Sequence, residues 1–159
     1  MVLDVLKDFL IATTGASASF IGLLFVALSL ESSEKLSIVN QTTKRILAES
    51  SYTALLNIFF ISLVALIPNT SLGYVMVTMA AVGILNTIHF FRVGPQLRHN
   101  VSILIVGGLF YVAELLYGIF IIFRPEGYII SNNIIMGMFI FLFGAALARA
   151  WELTGIRKR

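Results

Sequence analysis

Cysteine is absent from this 159-residue chain, which excludes disulfides, thiolate metal sites and cysteine nucleophiles. Charge is scarce as well. Asp, Glu, Lys and Arg together make up 12% of the residues, about half the share of a soluble domain. There are two histidines, His89 and His99, ten residues apart, and that spacing suits no metal site. No glycine-rich phosphate loop, His-Glu-x-x-His pair or Ser/His/Asp set with loops long enough for a pocket is present. Neither an enzyme, a cofactor nor a metal centre is therefore expected.

Apolar sequence fills the space. Hydrophobic residues make up 58% of the chain, and the mean hydropathy is +0.96. A helix needs roughly 20 mostly apolar residues to cross the hydrocarbon layer. Five runs qualify, at about 9–30, 46–67, 71–91, 101–123 and 129–150. The expected architecture is all-α, a single domain of five transmembrane helices. Pro68-Asn69-Thr70 and Arg124-Pro125-Glu126-Gly127 are tight turns between consecutive spans. Ala16-Ser17-Ala18 resembles a signal-peptide cleavage site, but Asp4 and Asp8 outweigh Lys7 in the leader, so a retained first helix is expected.

The formal charge of +3 does not point to nucleic acid, because the basic residues flank the spans. Lys35, Lys44, Arg45, Arg92, Arg98, Arg149, Arg157, Lys158 and Arg159 fall on one side, and only Lys7 and Arg124 on the other. By the positive-inside rule the N-terminus faces out and the C-terminus lies in the cytoplasm. Membrane lipid is the expected environment, with anionic lipid a partner for the basic tail.

One ionisable side chain lies deep in a span. Glu114 is nine residues inside Phe123, roughly 13 Å at the helical rise. Asn57 and Ser17 sit at similar depths on the second and first helices, Thr13 and Thr14 a turn nearer the outside, and Tyr111 and Tyr117 flank Glu114. Two readings stay open. In one, Glu114 carries a proton, donates to Asn57, a serine or a carbonyl, and ties helices together. In the other it lines a cavity and binds a cation or relays a proton, since intramembrane ionisable residues usually mark function.

The first helix carries Ala12, Gly15, Ser19 and Gly22 on one face, a small-residue pattern that lets helices approach closely. This face packs within the subunit, or else the helix lines a symmetric axis. In the second case Thr13 and Ser17 face a lumen and Phe20 and Leu24 form an apolar gate. At the cytoplasmic end, Glu49 follows Arg45 by four residues, His89 and Arg92 end the third helix, and Arg149 and Glu152 lie a turn apart on the fifth. Surface ion pairing is one account of these charges. An inner vestibule of Glu49, Ser50, Ser51 and Asn86 is the other.

Two resemblances add to this. The stretch from Gly15 to Leu30, GASASFIGLLFVALSL, with Ala148–Gly155, ARAWELTG, resembles a widespread group of small bacterial inner-membrane proteins of unassigned activity. The resemblance implies a bacterial inner membrane and no particular chemistry. More faintly, Ser17–Ala27 and Phe110–Leu116 are similar to the first and third helices of the Orai calcium channels. Orai channels have four spans with the N-terminus inside, and their selectivity glutamate falls on Leu30 here, so no residue role is carried over. The expected function is a homo-oligomeric ion channel or ion-binding transport assembly that prefers cations. The alternative is a non-conducting accessory subunit of a larger membrane complex.

Overall fold

The computed structural model describes residues 2–31, 38–68, 71–93, 101–123 and 128–155, with side chains placed at 5–29, 45–68, 71–92, 105–123 and 134–151. These residues form five helices and no strand: α1 Val2–Glu31, α2 Ile38–Ala65, α3 Leu72–Val93, α4 Val101–Phe123 and α5 Tyr128–Gly155. Each contains a stretch long and apolar enough to cross a bilayer, at Val5–Ser29, Arg45–Ala65, Leu72–Arg92, Ile105–Phe123 and Ile134–Trp151. The protein is a five-helix, multi-pass membrane protein. Its outer surface agrees: Leu23, Phe25, Leu85, Leu109, Leu116, Phe123, Ile140 and Trp151 are each more than 60% exposed. Water would penalise such a surface, whereas lipid does not.

Between α2 and α3 the chain tightens before Pro68. Leu66 and Ile67 donate to the carbonyls of Leu63 and Val64 at 3.2 and 3.0 Å. These i to i+3 bonds satisfy carbonyls that a helix end otherwise leaves open. Tyr74 bonds back to Ser71 at 3.3 Å and opens α3. The expected turn at Arg124–Gly127 lies outside the described residues, as do Asn69 and Thr70.

α2 is the central helix. In its span 61% of residues are buried, against 22% to 28% in the other four. It is also the least hydropathic span, with Ser50, Ser51, Asn57 and Ser62 all buried. The physical reason is direct: hydroxyls and amides are costly against hydrocarbon, so the helix richest in them is wrapped by the others. α1 and α5 pack on α2, α3 packs on another side, and α4 reaches the centre mainly through an extensive contact with α3.

Two patterns set the helix rotations. On α5, Ile135, Phe139, Leu142, Ala146 and Arg149 recur at alternating steps of four and three, and all are buried. This is one continuous helix face turned toward α2. Phe139 stacks on Phe9 of α1 at 6.3 Å, and Phe143 meets Phe20 edge-on at 6.0 Å. Early residues of α1 thus lie beside the earlier half of α5, so these two helices run parallel. Between α3 and α4 the approach is so close that a Cβ on Gly73 would lie 2.7 Å from the Gly118 carbonyl oxygen. Glycine is needed at that crossing.

Candidate functional site

Glu114 and Asn57 meet inside the bundle. Each is 1% exposed, and the Asn57 amide nitrogen donates to both carboxyl oxygens, to Oε1 at 3.1 Å and Oε2 at 2.9 Å. The pair ties α4 directly to α2, as counting residues along the two helices leads one to expect. The Asn57 carbonyl oxygen, also buried, has no hydrogen-bond partner. A buried amide acceptor left open is uncommon and marks a place where a proton donor would be stabilised.

The other hydroxyls of the expected layer turn away from the carboxyl. Ser17 is fully buried, but its hydroxyl donates to the carbonyls of Thr13 and Thr14 at 2.8 and 3.0 Å. Thr13 donates to Phe9 at 2.5 Å and Thr14 to Leu10 at 2.8 Å. Back-bonding to the preceding turn satisfies a hydroxyl within its own helix, which removes the donor from the site. Tyr111, one turn before Glu114, is 3% exposed. Tyr117, one turn after it, is half-buried and stacks on Phe120 at 6.4 Å. Only Asn57, Tyr111 and Glu114 of the expected set form the buried centre.

Arg149 is where reading the sequence fell short. As a terminal residue paired with Glu152 it should reach the surface; instead it is 4% exposed and points inward. The Glu152 side chain lies outside the described residues. One guanidinium nitrogen of Arg149 donates to the Ser50 carbonyl at 3.3 Å. Its tip rests against Gly107 so closely that a Cβ there would overlap it. Ser50, Thr53, Gly83, Asn86, Thr87, Phe90, Tyr111 and Arg149 line a gap of about 10 Å³. That is about the volume of one water, with hydroxyl, amide and guanidinium groups among its lining. Two sequence signals point here: Arg149 continues the buried four-three stripe of α5, and Gly107-Gly108 opens α4 opposite it.

The expected vestibule divides. Ser50 and Ser51 are buried and both donate to the Leu47 carbonyl, at 3.0 and 2.9 Å, while Asn86 donates to Thr53 at 2.5 Å. Glu49 instead faces outward and pairs with Arg45 at 2.6 Å, the surface i,i+4 ion pair read from the sequence. His89 is exposed, with its ring 6.2 Å from Phe90.

α1 is rotated opposite to both arrangements considered for it. Leu6, Leu10, Thr13, Ser17 and Leu24 are buried within the subunit, and Phe20 packs against Phe143. Leu24 is thus a core residue of the subunit, with Phe20 partly buried beside it against α5. Ala12, Gly15, Ser19 and Gly22 lie on the outward face, and a Cβ on Gly15 or Gly22 meets nothing within 4 Å. Bulky side chains fill the gap to α2 and α5, which leaves the small ones facing away from the subunit.

Compared with known proteins, the chain matches no family model, no curated protein and no solved structure.

Proposed function

We propose that this protein is an ion-handling membrane protein in which Glu114 takes up and releases a proton inside each subunit. What carries the reading is the buried Glu114–Asn57 pair, with the Asn57 carbonyl left open beside it. An intramembrane carboxyl with a named partner is a functional-site hypothesis by default. A proton suits this donor set better than a metal cation. Hard cations such as Ca²⁺ take six or more oxygen ligands, and the described residues here gather one carboxyl and one amide. When protonated, the carboxyl has an acceptor available in the Asn57 carbonyl oxygen after rotation of the amide.

Tyr111 and the water-sized cavity beyond it extend this polar centre toward Arg149. A fixed guanidinium on that side is a barrier to free cations, as charged constrictions are in selective pores. The reading is therefore of a site that is loaded and unloaded, and not of an open cation pore. On this reading the Arg149 end, where the sequence gathers its basic residues, faces the cytoplasm by the positive-inside rule, and the membrane is the inner membrane of a bacterium. Proteoliposomes holding a pH-sensitive dye test the proposal. Wild type should move protons down an imposed gradient, and Glu114→Gln, which keeps an acceptor for the Asn57 amide, should fold normally and fall to background. Equal rates from both proteins would refute it.

The outward small-residue face of α1 favours a further element, self-association through that helix, with docking on a larger complex as the alternative. In an isolated subunit, Gly22→Leu should not destabilise the fold, since nothing lies nearby and leucine gains about 0.5–1 kcal/mol over glycine within a helix. If copies pack through this face, the same change lowers the oligomeric mass in light scattering. An unchanged oligomer would remove α1 as the contact.

A further inference from the structure

At the end of the bundle that carries the N-terminus, four helices leave a crevice of about 220 Å³. Leu10 of α1, Ile61 and Ala65 of α2, Leu72 of α3 and Phe139 of α5 form its apolar walls. Lys7 stands at its edge, exposed, two residues inside the start of the first span. The described lining holds this one cation and no carboxylate; Asp8, next on the helix, is exposed and does not line it. We infer that this crevice binds one acyl chain of an anionic phospholipid, with the Lys7 ammonium on the headgroup phosphate.

Three observations support the assignment. First, every lining side chain except Lys7 is apolar and the surroundings are lipid, so hydrocarbon in the crevice meets mostly apolar surface. Second, pockets that enclose drug-sized ligands run to about 300–1,000 Å³, and this one is smaller, which suits part of a single chain. Third, a lysine a few residues inside a span reaches the headgroup layer along its aliphatic stem, and there its charge complements phosphate. The second large groove serves as a contrast. It has a volume of about 300 Å³, lies between α1 and α5 near Leu24 and Trp151, and has no charged residue in its lining. Charge complementarity therefore distinguishes the Lys7 crevice.

The test uses delipidated full-length protein titrated with phosphatidylglycerol or phosphatidylcholine, with bound lipid read by native mass spectrometry. Wild type should bind phosphatidylglycerol about fivefold more tightly, the weight of one lysine beside an anionic headgroup. Lys7→Gln, at an exposed position that leaves folding intact, should erase that preference while retaining chain binding. Because the chain has no cysteine, Ala65→Cys can be alkylated with a bulky reagent after purification, which fills the crevice in protein already folded. Both lipids should then bind far more weakly. Equal binding of the two lipids to wild type, or binding indifferent to the alkylated thiol, would overturn the assignment. So would a lipid-free oligomer that shields the introduced thiol, since a second copy would then be the occupant.

Discussion

Glu114→Leu should destabilise the protein by about 1–3 kcal/mol, the cost of leaving a buried polar group without a partner. Asn57 is the reason. Its amide nitrogen has the two Glu114 oxygens as its acceptors, and its carbonyl oxygen is already without one. An apolar residue at 114 leaves the whole amide stranded at 1% exposure. The double change Glu114→Leu with Asn57→Leu should recover most of that loss, because replacing both partners with apolar groups of similar size is nearly neutral. Unfolding in mixed micelles, run as a double-mutant cycle, measures both. A single Glu114→Leu variant as stable as wild type would mean that the pair does not tie α2 to α4. Glu114→Gln belongs to the same series: it should keep stability and lose proton movement, which separates the tether from the function.

The second large effect is expected at the crossing of α3 and α4. Gly73→Ala places a methyl group 2.7 Å from the Gly118 carbonyl oxygen and 2.7 Å from Ile122. The first obstacle is backbone, which cannot rotate aside, so the helices must separate. Overpacking of this kind costs about 1–3 kcal/mol, more than the ~1 kcal/mol that alanine gains over glycine in a helix. Gly118→Leu should be worse, since a Cβ there already meets the Gly73 oxygen, Met76 and Val77 at 3.0 Å. Gly118 is one turn beyond Glu114, so spreading the helices also draws the carboxyl away from Asn57. Loss of folded protein in thermal melts should therefore be accompanied by loss of proton movement in whatever fraction survives. If Gly73→Ala melts with wild type, the two helices are not held as closely as the structure places them.

How much of the site could be read beforehand depends on the kind of signal. Glu114 and Asn57 were legible because depth follows from counting: nine and ten residues from a span end place both in one layer, whatever the rotation. Arg149 was not read as buried, although it continues the spacing of Ile135, Phe139, Leu142 and Ala146. A basic residue near a span end is ordinarily assigned to the headgroups, and only the opening at Gly107 makes its inward turn physically acceptable. Counting assigns Ser17 to the same layer, yet its hydroxyl is taken by its own helix, a local competition that counting does not reveal.

Five helices, each with an apolar stretch long enough to span, were determined by the sequence alone, although α1, α2 and α5 run six to eight residues longer than the spans read from it. Crossing a membrane depends on each segment's own transfer from water to hydrocarbon, which is a sum over residues and needs no neighbour. Which face of each helix looks inward was decided by the tertiary structure. In water, burial of apolar groups points every helix toward its core, but lipid is as apolar as leucine and offers no such preference. On α1, Leu23 and Leu24 are chemically the same, yet one is 64% exposed and the other 7%. What separates them is steric fit against α2 and α5, a property of surfaces that exist only once the helices have met.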